Sequence, residues 1–122
     1  MAQKILVVDD DPVILKWVKT LLKGKGYKVA VVETGQAALE SIKKDAPDLI
    51  ILDIILPDMD GYQVCNKIRA SAEYGNVPII FLTVRDKELN DQIIQRLNIV
   101  YIQKPANGQV LLEKIEQLLT QH

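Results

Sequence analysis

Cysteine and histidine are nearly absent from this sequence of 122 residues, which contains one residue of each type. The single cysteine, Cys65, excludes an internal disulfide and any metal cluster that is bound by several thiolates. Its setting, "GYQVCNKIRA", has helical spacing and is typical of a buried, small apolar residue. A metal site in this chain must therefore be built mainly from oxygen ligands.

Long apolar runs and an excess of charge of one sign are also missing. The longest apolar stretch, Leu49–Pro57, is interrupted by Asp53 and is too short to span a bilayer. No secretory signal is recognisable, because charged residues follow by Asp9. The net charge of −1 gives no reason to expect direct binding to nucleic acid. We therefore expect a cytoplasmic protein that binds neither membranes nor nucleic acid.

The composition is that of a globular domain. Hydrophobic residues make up 48% of the chain and charged residues 25%, which argues against disorder. A chain of this length buries a substantial core as one unit. We expect one domain over residues 1–122, without an internal repeat or linker.

Short apolar runs of strand length alternate five times with amphipathic segments of helix length. The runs are Ile5–Val8, "YKVAVV" from Tyr27, "DLIILD" from Asp48, Val77–Thr83 and "IVYIQ" from Ile99. The segment after Pro12 is expected to bury Val13, Ile14, Trp17, Val18, Leu21 and Leu22 on one helical face. This alternation predicts an α/β fold, a parallel sheet with helices on both faces.

Charged and polar residues collect where the predicted strands end. Asp9 and Asp10 end the first strand, and Asp53 ends the third. Thr83 ends the fourth strand, and Lys104 follows the fifth. Ligands of such sheets bind beyond the carboxyl ends of the strands, where the strand order reverses. The sequence thus predicts three carboxylates, a hydroxyl and an ammonium group at one place.

Hard oxygen ligands without histidine or thiolate suit Mg²⁺ or a similar ion, such as Mn²⁺. A carboxylate held beside such an ion can attack a phosphoryl group and form an acyl phosphate. Each residue alone also has an ordinary interpretation: Asp11 is a helix cap, and Asp9 or Asp10 is a solvated loop residue. Asp53 is harder to explain in that way, since burying a lone carboxylate is costly.

The residues resemble those of the receiver domain of two-component response regulators, over essentially the whole chain. The matching motifs are "ILVVDDD", "LIILDIILPDMDGYQV", "PIIFLTV" and "YIQKP", in the order of the family. The resemblance implies a flavodoxin-like, three-layer (βα)5 sandwich with strand order 2-1-3-4-5.

The resemblance also implies a role for individual residues. Asp53 would be the phosphoacceptor, and Thr83 and Lys104 would bind the phosphoryl group. The Mg²⁺ ligands would be Asp9 (through water), Asp10, Asp53 and the carbonyl oxygen of Ile55. Thr83 and Tyr101 would form the switch pair.

The partners follow from the same resemblance. The donor would be a sensor histidine kinase or a histidine phosphotransfer protein, because the only histidine here is His122. Small acyl phosphates would substitute for it. The domain would catalyse its own phosphorylation and a slow hydrolysis, and it would signal to a downstream output domain or protein. The face formed by the fourth helix, the fifth strand and the fifth helix would change on phosphorylation, and a weak homodimer through this output face is an open alternative.

Three positions near the site are expected to modulate its rates. Ile55 and Arg85 lie two residues beyond Asp53 and Thr83, where the family modulates hydrolysis. Val84 stands where the family usually has alanine or glycine, so its bulk is expected to restrict access of phosphodonors. "LNIVYI" lacks the family's glycine–alanine pair, and the fifth strand is expected to begin at Ile99.

Other functions fit the sequence less well. A flavodoxin-type FMN protein would need a Ser/Thr/Gly-rich phosphate loop where this chain has "DDDP". The P-loop motif of nucleotidases is absent. The remaining alternative is a receiver-like interaction module that is not phosphorylated.

Overall fold

The computed structural model describes residues 2–84 and 91–120 of the chain. Strands and helices alternate along these residues, as the sequence predicts. The elements are β1 (Lys4–Val8), α1 (Pro12–Lys23), β2 (Lys28–Val32), α2 (Gly35–Lys44), β3 (Leu49–Leu52), α3 (Gly61–Arg69), β4 (Ile79–Thr83), α4 (Asp91–Leu97), β5 (Ile99–Gln103) and α5 (Gly108–Leu119).

The strands form one parallel sheet of order β2-β1-β3-β4-β5. The predicted flavodoxin-like order is therefore confirmed. β1 and β3 are neighbours, with Cα partners from Ile5 with Leu49 to Val8 with Leu52. β2 lies beyond β1 on one side of this pair, and β4 and β5 lie beyond β3 on the other side. The strand order therefore reverses between β1 and β3. The carboxyl ends of these two strands are where a ligand site is expected.

Two hydrophobic cores lie on opposite faces of the sheet, because successive side chains of a strand point to opposite faces. In β3, Leu49 and Ile51 pack with residues of α1 and α5. Ile50 and Leu52 pack with residues of α2, α3 and α4. All residues of β3 are buried, which explains its continuous apolar sequence.

Side chains cap the amino-terminal ends of four helices. Asp11, Thr34 and Asn107 accept hydrogen bonds from first-turn amides of α1, α2 and α5. Asp60 forms a capping box with Gln63 at the start of α3. The predicted cap role of Asp11 is confirmed. None of the helices in residues 2–84 and 91–120 combines the length and apolarity that a membrane span requires.

The structure differs from the sequence prediction at two points. Val13 is 71% exposed rather than buried, because Leu15, Val18 and Leu22 form the buried face of α1 and Val13 lies on the opposite side of the helix. β4 begins at Ile79 rather than Val77, since Pro78 has no amide hydrogen to donate to the ladder. Cys65 is buried as predicted, and burial raises the pKa of its thiol. Arg85 and His122 lie outside the described residues.

Candidate functional site

The central strands place two carboxylates side by side at the carboxyl edge of the sheet. The amide of Asp53 donates to the carbonyl oxygen of Val8 at 3.0 Å, which continues the ladder one residue beyond β3. The amide of Asp9 donates to the carbonyl oxygen of Val32 at 3.2 Å, which does the same for β1. Asp9 and Asp53 are only 2% and 5% exposed. Backbone pairing therefore fixes both buried acids.

Asp10 completes an acidic cluster with these two residues. Carboxylate oxygens of Asp9, Asp10 and Asp53 all lie within 4.8 Å of one another, and Asp10 is exposed to solvent. Two oxygens that bind one Mg²⁺ directly lie at most about 4.2 Å apart, because each bond is about 2.1 Å long. The cluster fits such an ion when two carboxylates bind it directly and the third contacts it through water.

Lys104 brings a cation to the same place from the end of β5. Its ammonium group donates to Oδ2 of Asp9 at 2.6 Å and to Oδ2 of Asp53 at 3.1 Å. The side chain is only 10% exposed. Its amide donates to the carbonyl oxygen of Thr83 at 2.7 Å, and its peptide bond to Pro105 is cis. Pairing of β4 with β5 therefore positions this ammonium group.

The charges of the site are not balanced. Desolvation by burial raises the pKa of Asp9, although hydrogen bonds from Lys104 and from the amide of Asp11 partly oppose it. Burial alone would lower the pKa of Lys104, but its hydrogen bonds to Asp9 and Asp53 outweigh burial and raise it. A single ammonium group thus faces two buried carboxylates, and Asp10 adds a third acid to the cluster. The site therefore favours a further cation.

Thr83 and Tyr101 lie on the neighbouring strands β4 and β5. Thr83 is fully buried at the end of β4. Phe81, two residues before it on the same face, is the Cα partner of Tyr101 on β5. The rings of Phe81 and Tyr101 meet edge to face, with centroids 6.3 Å apart. Tyr101 is half-buried, so its ring lies between the core and the surface.

Two aliphatic side chains are exposed beside the acidic cluster. Ile55 is 42% exposed and Val84 is 59% exposed. The amide of Ile55 donates to Oδ1 of Asp53 at 3.1 Å. Val84 directly follows Thr83, and its carbonyl oxygen accepts a hydrogen bond from the side chain of Gln103. The third predicted rate-modulating residue, Arg85, lies outside the described residues.

Sequence reasoning missed the contacts of Asp58. Its carboxylate accepts hydrogen bonds from the amides of Gly35 at 2.8 Å and Gln36 at 2.9 Å. An acidic residue in "LPDMDG" is typical of a solvated turn, and no local pattern indicates a partner more than twenty residues away. The loop between β3 and α3 is thus attached to the start of α2.

A cavity of about 340 Å³ lies at the opposite edge of the sheet. It opens between α2 and the amino ends of β1 and β2. The charged groups Lys4 and Asp45 in its lining pair with each other. The acidic cluster, where several charges converge on one point, is therefore the better candidate site.

Comparisons with known proteins agree with this geometry. The family model of the response regulator receiver domain matches residues 5–116. The DNA-binding response regulator MtrA of Mycolicibacterium smegmatis is 34% identical over 120 residues, which cover 98% of this chain and 51% of that protein. The chain thus spans about half the length of this curated relative.

Solved structures with the same fold include two receiver proteins. The BeF3-activated N-terminal receiver domain of Klebsiella pneumoniae RstA has a TM-score of 0.85 at 33% identity, covering 97% of this chain and 99% of that one. The chemotaxis response regulator CheY4 of Vibrio cholerae has a TM-score of 0.87 at 28% identity, with the same coverage. The chain therefore belongs to the family of response regulator receiver domains, which act in two-component signalling.

Proposed function

We propose that Asp53 accepts a phosphoryl group in a reaction that requires Mg²⁺. The observation that carries this proposal is the placement of Asp53: a nearly buried carboxylate with two further carboxylates within 4.8 Å and an ammonium group at 3.1 Å. A structural ion pair would need one carboxylate for one ammonium group. The additional acids are accounted for when a divalent cation and a phosphoryl group bind there.

The reaction forms one bond and breaks one bond. A carboxylate oxygen of Asp53 attacks phosphorus, and the bond from phosphorus to the donor breaks. With a phosphohistidine donor the leaving group is an imidazole, which takes up a proton. With a small acyl phosphate the leaving group is a carboxylate. The donor protein would be a histidine kinase or a histidine phosphotransfer protein, since receiver domains of this family act with such partners.

Neighbouring groups stabilise the charge that develops on the phosphoryl oxygens. Lys104, which now contacts Asp53, would pair with one phosphoryl oxygen, and the hydroxyl of Thr83 would donate to another. Asp10, Asp53 and the carbonyl oxygen of Ile55 would hold Mg²⁺ or Mn²⁺ directly and Asp9 through water, and the ion would offset the negative charge of the phosphoryl group. The aliphatic side chain of Ile55 would screen the product from water, so we expect slow hydrolysis.

The output would be a shift in the population of two conformations. Movement of Thr83 toward the phosphoryl group would leave space that the ring of Tyr101 enters. That ring packs edge to face on Phe81, which lies two residues before Thr83 on β4. The surface formed by α4, β5 and α5 would change with it. A weak homodimer through this surface is part of the same proposal.

The downstream partner would be an output domain or another protein. The relative MtrA is named a DNA-binding response regulator, so a DNA-binding output domain outside this sequence is one candidate. We propose no direct contact between residues 1–122 and nucleic acid. A cytoplasmic location fits a donor that is phosphorylated at the expense of ATP.

The test is the intact mass of the protein after incubation with Mg²⁺ and a small acyl phosphate. We expect one added phosphoryl group in the native protein, and none in Asp53→Asn or after addition of EDTA. Asp11→Asn keeps the acidic cluster and serves as a control for loss of one neighbouring carboxylate, because asparagine caps a helix as well as aspartate does.

The proposal would be contradicted if no adduct formed at any concentration of the small acyl phosphate and none formed with a phosphorylated histidine peptide as the donor. It would favour the alternative of a receiver-like module that only binds other proteins. Val84→Ala separates a blocked site from an inactive one, since the smaller side chain would restore access of the donor.

A further inference from the structure

We propose that Asp58 is a positioning residue: by binding the start of α2 it holds the β3–α3 loop, and with it the carbonyl oxygen of Ile55, in place for Mg²⁺. This inference rests on the proposed function, because the loop position matters only if the site binds an ion. It concerns a residue outside the acidic cluster of Asp9, Asp10 and Asp53.

The first argument is that Asp58 provides hydrogen-bond acceptors for amide groups in the first turn of α2. The amino-terminal turn of an α-helix leaves amide groups without partners inside the helix. In α2, Oγ1 of Thr34 accepts from the amide of Ala37 at 3.0 Å. The two oxygens of Asp58 accept from the amides of Gly35 and Gln36. The cap of α2 is therefore shared between its own sequence and a residue that is distant in the chain.

The second argument is the charge of the contact. A carboxylate at the amino-terminal end of a helix interacts favourably with the helix dipole. The hydrogen bonds from the amides of Gln36 and Gly35 lower the pKa of Asp58. The side chain is therefore ionised at neutral pH, and the contact is intact under the conditions in which the site would work.

The third argument is where Asp58 lies in the loop. Its base is closed by the bridge between Ile55 and Asp60 and by the amide of Gly61, which donates to the carbonyl oxygen of Ile54 at 2.8 Å. Asp58 lies between these closing contacts. Its two hydrogen bonds connect the tip to α2.

Gly35 allows the loop to approach the helix closely. A Cβ atom at position 35 would lie 2.4 Å from Cγ of Met59, far closer than real contacts allow. Met59 packs against the core on the α2 and α3 side of the sheet. The missing side chain of Gly35 therefore makes room for Met59, and the neighbouring Asp58 reaches the amides of the first turn.

The experiment compares the native protein with Asp58→Ala, Asp58→Asn and Thr34→Ala. Thr34→Ala is the matched control, because it removes a cap of the same helix without detaching the loop. Mg²⁺ affinity is measured by calorimetry, and the phosphorylation rate with a small acyl phosphate is measured as a function of Mg²⁺. The melting temperature of each variant reports whether it is folded.

We expect Asp58→Ala to weaken Mg²⁺ binding by about tenfold, the low end of the range for residues that orient metal ligands. Asp58→Asn keeps one acceptor oxygen, so its Mg²⁺ affinity should lie between the affinities of Asp58→Ala and the native protein. Thr34→Ala should lower the melting temperature and leave Mg²⁺ affinity unchanged. At saturating Mg²⁺ the phosphorylation rate of Asp58→Ala should return to within about twofold of the native rate, since only ion binding is impaired.

Three results overturn the inference in different ways. If the native protein binds Mg²⁺ and is phosphorylated while Asp58→Ala binds Mg²⁺ equally well, Asp58 is only a helix cap and the proposed function stands. If Thr34→Ala weakens Mg²⁺ binding as much as Asp58→Ala, stability of α2 rather than the attachment of the loop controls the site. If the native protein binds no Mg²⁺, the proposed function and this inference fail together.

Discussion

Asp10 lies in solvent beside two buried carboxylates, those of Asp9 and Asp53. Lys104 contacts the two buried acids, so among the described contacts it balances only part of their charge. Burial raises the pKa of Asp9, and the nearby charge of Asp53 raises it further. The folded protein without metal therefore loses free energy by keeping these like charges close together.

From this imbalance we predict that Asp10→Asn stabilises the protein in the absence of metal. The gain should be about 1 kcal/mol, the size of the repulsion between charges about 4 Å apart in water. The measurement is urea unfolding in EDTA. Asp11→Asn is the control, because asparagine caps a helix as well as aspartate does and Asp11 is not part of the acidic cluster. Equal stability of Asp10→Asn and the native protein would show that solvent screens the repulsion.

At the residue scale, the sequence predicts those members of the site that follow a buried strand. Asp9, Asp53, Thr83 and Lys104 lie where strands end, and parallel strands end at one edge of the sheet. Asp58 follows no strand, and its partners are fixed by how the β3–α3 loop folds back on α2. Such a contact depends on tertiary structure, so neither propensity nor spacing indicates it.

Arg69 connects elements that are distant in the sequence. From the end of α3 its guanidinium group donates to carbonyl oxygens of Gly75 and Val77, which precede β4. It also donates to those of Leu97 and Asn98, at the end of α4. Burial lowers the pKa of Arg69, but the group remains charged. The planar, fork-shaped guanidinium is suited to this number of acceptors.

The second prediction concerns the hydrogen bonds of Arg69. Arg69→Ala should lower the free energy of unfolding by about 2–3 kcal/mol, because partly buried carbonyl groups lose a charged donor. Arg69→Lys should recover only part of this loss, since an ammonium group does not reproduce the fork. Urea unfolding measures both variants.

Lys67→Ala is the matched control for Arg69→Ala, because Lys67 is an exposed residue of the same helix. It should change the free energy of unfolding by no more than about 0.5 kcal/mol. If Arg69→Ala changes the free energy of unfolding as little as Lys67→Ala does, water replaces the four hydrogen bonds of Arg69 without cost.

At the element scale, the strand that lacks the family's glycine begins where the sequence predicts it. Asn98 adopts a φ of 53°, a conformation that asparagine tolerates better than most residues. It therefore ends α4 as glycine would, and β5 begins at Ile99. The start of β4 was predicted two residues too early, because the apolar pattern of "VPIIFLT" does not show the effect of a missing proline amide.

The whole molecule consists of two helical layers that share one sheet. Each of the two cores has one aromatic residue of a type that occurs once in the chain, since the sequence has a single tryptophan and a single phenylalanine. Trp17 packs against the core on the α1 and α5 side, and Phe81 lies in the core on the other side. The acidic cluster belongs to neither layer, because β1 and β3 hold Asp9 and Asp53 at the edge of the sheet between the two cores.

The last prediction follows from this arrangement. An ion that binds at the edge of the shared sheet should stabilise both layers equally, because a ligand that binds only the folded state shifts the whole unfolding equilibrium. At ten times its dissociation constant, Mg²⁺ should raise the free energy of unfolding by about 1.4 kcal/mol. Fluorescence of Trp17 and the ¹⁹F signal of fluorinated Phe81 should report the same unfolding midpoint as each other without Mg²⁺, and again the same, higher midpoint as each other with Mg²⁺. Asp53→Asn should unfold as cooperatively but without the shift, whereas a shift seen by only one probe would mean that the two layers unfold separately and that the ion stabilises one of them alone.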